Sequence, residues 1–275
     1  MNARAARSLA AWGWFGFAVL CAGLFVAPLV WLAGVAVSAS AQSPGLLPAG
    51  VSFVHFQRLL AETPFVGWLM ASLFLASAST VAGVLLSSLA GFALARYRFA
   101  GRRSVLLLML GTLLLPGAAL LPAAFELVVY LNLAGSYWAI FIPQAASVFG
   151  VLLFMQAFAG VPEDLLAAAR IDGCPEWRLW WDVALPAVRP LTAAFTLLSF
   201  VFNYNAFLWP QVVLTDARRY TLPVGLNNWA GLAGYGQEWG LLAAGTLLAV
   251  LPVAVLFMLM QREFVAGLTS GAVKG

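Results

Sequence analysis

The chain has 275 residues, 63% of them hydrophobic and only 9% charged, with a formal net charge of +4. A soluble domain carries about 25% charged residues and about 45–50% apolar ones, so a soluble enzyme of this composition could not cover its surface with polar groups. Nucleic-acid binding needs a concentrated basic face, and the cations here are scattered along the chain.

Six stretches lack Asp, Glu, Lys and Arg: 8–57, 63–95, 104–125, 127–162, 190–215 and 239–261. A hydrocarbon core of about 30 Å needs roughly 20 apolar residues as a helix. Helices satisfy their own backbone groups in lipid. The expected fold class is therefore all-α: a polytopic membrane protein with six transmembrane helices, at about 11–37, 67–94, 104–124, 137–159, 188–209 and 240–260. No linker splits the chain, so 1–275 reads as a single domain.

In chain order, the first span follows Arg4 and Arg7 and ends near Ala39-Ser40-Ala41, which resembles a signal-peptide cleavage site. A signal h-region is about 7–15 residues; this apolar run is much longer, so it reads as a retained span. Residues 38–66 form an external segment with a short helical pattern around Phe56 to Leu60. The loop 95–103 is basic, and 125–136 is a brief external link. Pro116, Pro122 and Pro143 interrupt spans three and four. Each removes a backbone hydrogen bond, either as a packing kink or where backbone lines a cavity. Residues 210–238 form a second external segment; its uncharged part, 220–237, holds Pro223, Asn227, Asn228 and several glycines and reads as a loop, not a span.

Six spans put both ends on one side. Of the 14 basic residues, eleven then share that side and three, Arg58, Arg218 and Arg219, lie opposite. By the positive-inside rule both termini are cytoplasmic, in an inner membrane. Trp12, Trp14, Trp68, Trp138, Trp209 and Trp239 fall near span ends, as interfacial anchors do. Apart from Arg189 at the edge of the fifth, the spans hold no charge, which argues against proton relays and ion pumps. Their polar groups are amides and aromatics: Gln144, Gln156, Asn203 and Asn205, with Tyr204, Phe207 and Trp209. Such groups suit a neutral hydroxylated ligand in a pathway; equally, amides hydrogen-bond between helices. The only histidine, His55, is external and without an evident catalytic partner, and Cys21 and Cys174 lie too far apart for a disulfide or metal arrangement.

The loop 160–187 differs from the rest. Pro162 suits a first helical position, Glu163 and Asp164 complement a helix N-terminus, and Ala167-Ala168-Ala169 are the best helix formers. Gly173 tolerates the positive φ of a helix stop. A helix over about 163–173 is expected, then a second short one from Pro175-Glu176 through Asp182, closing in Val183-Ala184-Leu185-Pro186. The pair makes a compact knob with a small alanine face.

That loop resembles the signature of binding-protein-dependent ABC permeases: Glu-Ala-Ala, three residues, Gly, nine residues, Ile, any residue, Leu-Pro. Here it runs Ala167-Ala168-Ala169, three residues, Gly173, nine residues, Val183-Ala184-Leu185-Pro186. The ending Ile171-Asp172-Gly173 is similar to the carbohydrate-uptake branch. So are Ala95-Arg96-Tyr97-Arg98-Phe99-Ala100-Gly101, Leu115-Pro116-Gly117, Tyr204-Asn205-Ala206-Phe207-Leu208-Trp209-Pro210, Thr221-Leu222-Pro223 and Gly271-Ala272-Val273-Lys274-Gly275. The resemblance covers nearly the whole chain and looks most like the second permease of a maltose-type system.

The resemblance implies a permease without chemistry of its own and without a directly bound cofactor. Its partners would be a second permease subunit, two ATPase subunits carrying ATP and Mg, an external sugar-binding protein, and lipid. It implies ATPase coupling through Glu163, Asp164, Ala167, Ala168, Ala169, Asp172, Gly173, Val183, Leu185 and Pro186, and a substrate pathway along Asn203, Tyr204, Asn205, Phe207 and Gln144. The tail from Gln261 resembles one that reaches the ATPase interface; a disordered end is the alternative. One departure stands out: the family's glutamate, a salt-bridge anchor to the ATPase, falls at Ala167. Glu163, one turn earlier on the same face, is one substitute; the other permease is a second; and an exposed ion pair worth about 0–1 kcal/mol is also dispensable. The competing class is an ATP-independent secondary transporter or channel.

Overall fold

The computed structural model describes residues 3–39, 50–232 and 238–272. Helices account for the structure throughout, and no strand occurs among the described residues beyond one isolated bridge between Ser38 and Val51. The chain divides into two compact units, Met1–Phe65 with Leu226–Leu251, and Val66–Gly225 with Pro252–Gly275. Two long helices and one short helix run across the boundaries between these stretches, and each unit is taken in turn.

The first unit begins with α1, Ala3–Ala36, which is apolar from Leu9 onward. From Trp14 onward almost none of its surface is covered by the rest of the chain. A helix apolar all round needs an apolar surrounding, which lipid or another subunit supplies. A short helix, α2 (Val54–Glu62), follows at the predicted place. Its His55 is buried, and Nε2 donates to the Ser38 carbonyl at 3.0 Å, the tautomer being set by that acceptor. Gly240 lies against the imidazole: a Cβ there would fall 2.3 Å from Nε2, so glycine is what admits the ring. Arg58 bridges Glu62 at 3.0 Å and Glu238 at 2.9 Å.

The second unit holds most of α3 (Phe65–Arg96), then α4 (Arg102–Leu113), a 3-10 turn at Gly117–Leu120 leading into α5 (Leu121–Tyr130), α6 (Trp138–Gln144) and α7 (Val148–Ala159). After these come α8 (Glu163–Ile171), α9 (Glu176–Arg178), a π-helical turn at Leu179–Ala184, α10 (Leu185–Ala187), α11 (Arg189–Tyr204), α12 (Leu208–Val213) and α13 (Leu222–Leu232). The last helix, α14, runs Trp239–Ala272.

Among the described residues five segments are long and apolar enough to cross a membrane: Trp14–Ala36, Phe65–Arg96, Trp138–Ala159, Arg189–Val213 and Trp239–Glu263. A sixth is the bent pair Arg102–Leu113 and Gly117–Tyr130, whose halves meet at 96°. The five segments overlap five of the six predicted spans, and the bent pair, counted as one span, overlaps the third; three features of shape differ.

The third span is not a straight rod over 104–124. Pro116 sits in extended backbone (φ −65°, ψ 122°) and ends the helical run; the missing N–H of proline is the cause. Pro122 does not interrupt anything. It occupies the first turn of α5, where proline is tolerated, so 125–136 is helical as far as Tyr130 rather than a simple link. Beyond 260, helix continues through Ala272, because no Gly-Pro stop interrupts the run. The reading of 220–237 as a non-spanning segment fits α13, whose 11 residues are too short to cross; residues 233–237 lie outside the described residues.

Two close backbone approaches organise the second unit. At Gly91 a Cβ would stand 2.7 Å from Phe154 Cβ and 2.8 Å from the Met155 nitrogen, so α3 and α7 touch backbone to backbone. At Gly225 a Cβ would fall 2.2 Å from the Trp68 ring. Trp68 is thereby clamped, and its Nε1 donates to the Ala217 carbonyl at 2.7 Å. Buried Ser72 Oγ accepts from the Leu222 amide, also at 2.7 Å, pinning the start of α13 to α3.

Candidate functional site

Two places in the second unit carry polar or open features that the apolar packing does not require. One is the loop 160–187. The other is a cavity among the broken helices.

The loop folds as its sequence dictates. Pro162 precedes α8, and Glu163 and Asp164 stand in its first turn. Arg170 occupies its last turn, where the helix dipole favours a cation. Gly173 has φ 79°, and the Gly173 and Cys174 amides donate to Arg170 and Ala169 carbonyls at 3.0 Å. This is a glycine-terminated helix end. The expected second helix is present in altered form: regular for only three residues, then a π turn carrying Trp180 and Trp181. A π turn inserts an extra residue per turn, which lets Leu179 and Ala184 both bury while Trp181 stays exposed.

The base of this knob is a hydrophobic core. Phe92, Phe154, Phe158, Val161, Leu166, Leu179, Ala184, Val188 and Phe195 are buried together. Phe92 meets Phe158 edge-on at 5.4 Å, and Phe154 meets Phe195 edge-on at 5.5 Å. Such ring pairs add about 0.5–1.5 kcal/mol beyond their burial. Val183, Leu185 and Ala169 pack against the same core. Asp164, Ala168, Asp172, Gly173 and Pro186 lie on the surface, with Ala167 half-buried. Ile171 is 86% exposed, an aliphatic side chain at the tip with nothing of this chain over it. Leu165 and Trp177 are exposed too. Of the ten loop residues picked out, then, Ala169, Val183 and Leu185 pack the knob and the others face outward or border that face.

Charged side chains tie the knob down. Arg96 ends α3, and its side chain is 9% exposed. Its Nη1 pairs with Glu163 Oε2 at 2.9 Å, while Nη2 donates to the carbonyls of Phe158 and Val161. Phe158 lies in the last turn of α7, where its carbonyl also accepts from the Val161 amide at 3.1 Å, and Val161 follows two residues after the helix end. A hydrogen bond to a charged group contributes about 1.5–3 kcal/mol. Next in sequence, Tyr97 donates its hydroxyl to Glu176, which Arg170 Nε also reaches at 2.9 Å. The Arg170 guanidinium, then the Tyr97 hydroxyl, hold the Glu176 carboxyl below the usual carboxylate range. Burial, then the nearby Glu176 charge, push the Tyr97 phenol up. Sequence reading singled out Arg96 and Tyr97 only as parts of a motif, and their partners lie 67 and 79 residues away.

Glu163, the candidate substitute for the missing acid at Ala167, thus has Arg96 as a partner within this chain, yet 70% of its side chain is exposed.

The cavity encloses about 640 Å³ and is lined by Gly117, Leu121, Pro143, Gln144, Phe202, Asn205, Phe207 and Trp209, among others. It opens where three helices break: after α4, after α6 and after α11. Of five pathway residues expected from the sequence, Gln144, Asn205 and Phe207 line it. Asn203 and Tyr204 do not. Asn203 Nδ2 donates across to Thr80 Oγ1 at 3.3 Å, an interhelical bond. Tyr204 is buried and stacked on Phe200 with centroids 5.8 Å apart. The cause is helical phase: α11 turns Val201 and Phe202 toward the cavity and Asn203 and Tyr204 toward neighbouring side chains, and the unwound Asn205–Phe207 that follows returns to the cavity. Asn205 Nδ2 donates to the Val201 carbonyl at 2.8 Å, and Gln144 Oε1 accepts from Ser79 Oγ at 3.4 Å. Trp209 Nε1 donates to the Ala139 carbonyl, fixing the indole at the rim. Among the lining residues none is charged, and no group of three or more possible metal ligands occurs among the described residues.

Multiple apolar spans, an uncharged cavity at helix breaks and a latched polar knob define a multi-pass membrane transport component. A family model places it: the chain belongs to the family described as binding-protein-dependent transport system inner membrane component, whose model matches residues 83–269. It is 38% identical over 229 residues to the arabinooligosaccharides transport system permease protein AraQ of Halalkalibacterium halodurans, covering 83% of this chain and 81% of that one. It is 33% identical over 280 residues to the maltodextrin transport system permease protein MdxG of Bacillus subtilis, covering both in full. Its fold matches a solved bacterial ABC transporter involved in import of the acidic polysaccharide alginate, with TM-score 0.82 at 22% identity, covering 96% of this chain and 99% of that chain. The relatives named are permease proteins of sugar transport systems, and the chain is a transport subunit rather than an enzyme.

Proposed function

We propose that this chain is one permease subunit of an ATP-driven importer, forming half of the translocation pathway for a carbohydrate and receiving ATPase motion through the loop 160–187. The observation that carries the reading is the exposed face of α8, with Asp164, Leu165, Ala168 and Ile171 outward, over a fully packed base. The exposed Ile171 and Leu165 offer a small apolar surface that a partner can cover, and alanine at its centre admits close backbone approach. In this reading a groove on an ATPase covers that tip, the loop and both termini are cytoplasmic, and ATP and Mg are held by the ATPase alone. The remaining partners are a second permease, a second ATPase and an external binding protein.

Switching access from about 1:99 to 99:1 requires roughly 5.5 kcal/mol of differential binding. Nucleotide-driven closure of an ATPase pair supplies energy on that scale; a sugar in an apolar cavity does not. On the substrate side, Gln144, Asn205, Phe207 and Trp209 offer amides and aromatic faces, which favour a neutral hydroxylated ligand.

The test is uptake by the assembled complex in vesicles, with and without ATP, together with recovery of an ATPase by a tag on this chain in native membranes. ATP-dependent uptake and ATPase recovery are expected. Sugar entry in ATP-free vesicles carrying this chain alone would overturn the reading in favour of a secondary transporter or channel.

A further inference from the structure

The motif at 95–101 has no assigned work in the proposed mechanism, yet two of its residues make the densest polar contacts of the second unit. Arg96 joins three elements at one guanidinium: it ends α3, satisfies carbonyls at the end of α7, and pairs at 2.9 Å with Glu163 in the first turn of α8. Tyr97 reaches the other end of the same helix, through Glu176 to Arg170 in the last turn. Two consecutive residues therefore hold both ends of α8, while Leu166 between them is buried against Phe92 and Phe158.

We infer that Arg96 and Tyr97 form a two-point clamp that fixes the knob to the end of α3, so that a displacement of α8 is delivered to α3 as to one body. The inference rests on the proposed ATP-driven reading, and both residues are positioning residues within it. The physical argument is stiffness. A nine-residue helix followed by a glycine in the left-handed region could rock about either end. A single pivot would let an ATPase move the helix while the spans stayed still. Two attachments, at the last residue of α3 and at the next one, whose amide still donates to the Ala93 carbonyl at 3.0 Å, remove that freedom. Arg96 is the stronger point, because its guanidinium is withdrawn from solvent and shared among three acceptors; the Tyr97–Glu176–Arg170 point is more exposed.

The experiment uses the complete reconstituted assembly with Arg96→Met, Glu163→Gln, the double variant and Tyr97→Phe. Uptake, ATP hydrolysis and ATPase co-purification are measured side by side. A clamp predicts that Arg96→Met keeps the ATPase bound and hydrolysis within about twofold, while sugar moved per ATP falls at least about fivefold. Glu163→Gln should lower that ratio less, the double variant should be no worse than Arg96→Met alone because both act through one contact, and Tyr97→Phe should have the smallest effect. A second readout is the distance distribution between spin labels at Arg98→Cys and Asp164→Cys in a Cys21→Ser, Cys174→Ser background. It should be narrow and unchanged between nucleotide-free and trapped states, and should broaden in Arg96→Met. An unchanged transport ratio, additive single effects, or a distribution that already shifts with nucleotide in the parent would each overturn the clamp. Hydrolysis and uptake falling together, with the ATPase lost, would show a merely structural role and would overturn it too. If the parent assembly showed no ATP-dependent uptake, the importer reading itself would fail, while the label distances would still decide whether α8 is fixed to α3.

Discussion

The knob and the cavity are built on opposite physical plans within one unit of the fold. At the knob, four phenylalanine rings meet edge-on in two pairs, and Arg96, Tyr97, Glu163, Arg170 and Glu176 are bonded to one another or to backbone. At the cavity, three helices are broken within a few residues of Pro116, Gln144 and Asn205, the lining is apolar, and the amides hold on to nearby groups by single bonds. Buried cores are close-packed and transmit displacement. Broken helices expose backbone and small gaps that can re-form around a passenger. The difference teaches that a part which must pass on force and a part which must let something through need opposite packing, and this chain separates them along its spans.

The comparison is broken most severely by overfilling the stiff part. Gly91→Leu would drive a side chain into Phe154 and the α7 backbone, where even a Cβ has only 2.7 Å. Overpacking costs about 1–3 kcal/mol and occasionally more, and backbone on the far side cannot yield. The expected outcome is little monodisperse protein in detergent and a clearly lowered melting temperature.

Next in size is the contrast between two aromatic truncations. Phe158→Ala empties a site buried in the knob base and should cost about 3–5 kcal/mol. Phe207→Ala removes a partly exposed ring at the cavity and should stay within about 0.5 kcal/mol of the parent in stability, while reducing uptake. Thermal melts of both, set beside uptake by the second, check the pair. Equal destabilisation would erase the distinction between the two regions.

A third probe acts on function without emptying the core. Gly173→Pro cannot adopt φ 79° and loses the amide that donates to the Arg170 carbonyl at 3.0 Å. Ala168→Trp leaves the backbone alone and places bulk on the exposed face of α8. Both should insert normally and lose most ATP-dependent uptake, by about tenfold or more. Normal uptake by both would remove the docking role of this face.

The span count was legible because charge is costly in lipid and its gaps read directly from the chain. The glycine-stopped helix at 163–171 was legible for a similar reason: Pro162, the acidic first turn and Gly173 each state a local preference that packing did not overrule. What could not be read were features set by three-dimensional neighbours. Pro122 and Pro116 look alike in sequence, yet one starts a helix and the other ends one, because the chain bends between them. Asn203 and Asn205 also look alike, yet Asn203 bonds to Thr80 on another helix while Asn205, just past the end of α11, lines the cavity. The Arg96–Glu163 pair joins residues 67 apart, with no local signal at either end; the one available hint was that the 95–101 motif places an arginine at the end of a span.

The smallest effect sharpens the view of the knob as electrostatically latched. Glu176 has its pKa held down by Arg170 and then by Tyr97. A carboxylate whose folded value lies below its unfolded one, near about 4.3, adds stability above the unfolded value and loses it as pH falls through the folded value. Glu176→Gln should therefore melt slightly below the parent at neutral pH, the gap being small because the carboxylate is about half exposed and screened. As pH falls from the unfolded value, about 4.3, through the lower folded one, the gap should close. Glu163→Gln serves as a comparison on the same knob, and melting curves of the three proteins across acid pH decide the matter. A gap for Glu176→Gln that stays constant from neutral to acid pH would mean that shape alone, and not its charge, holds the second attachment of α8.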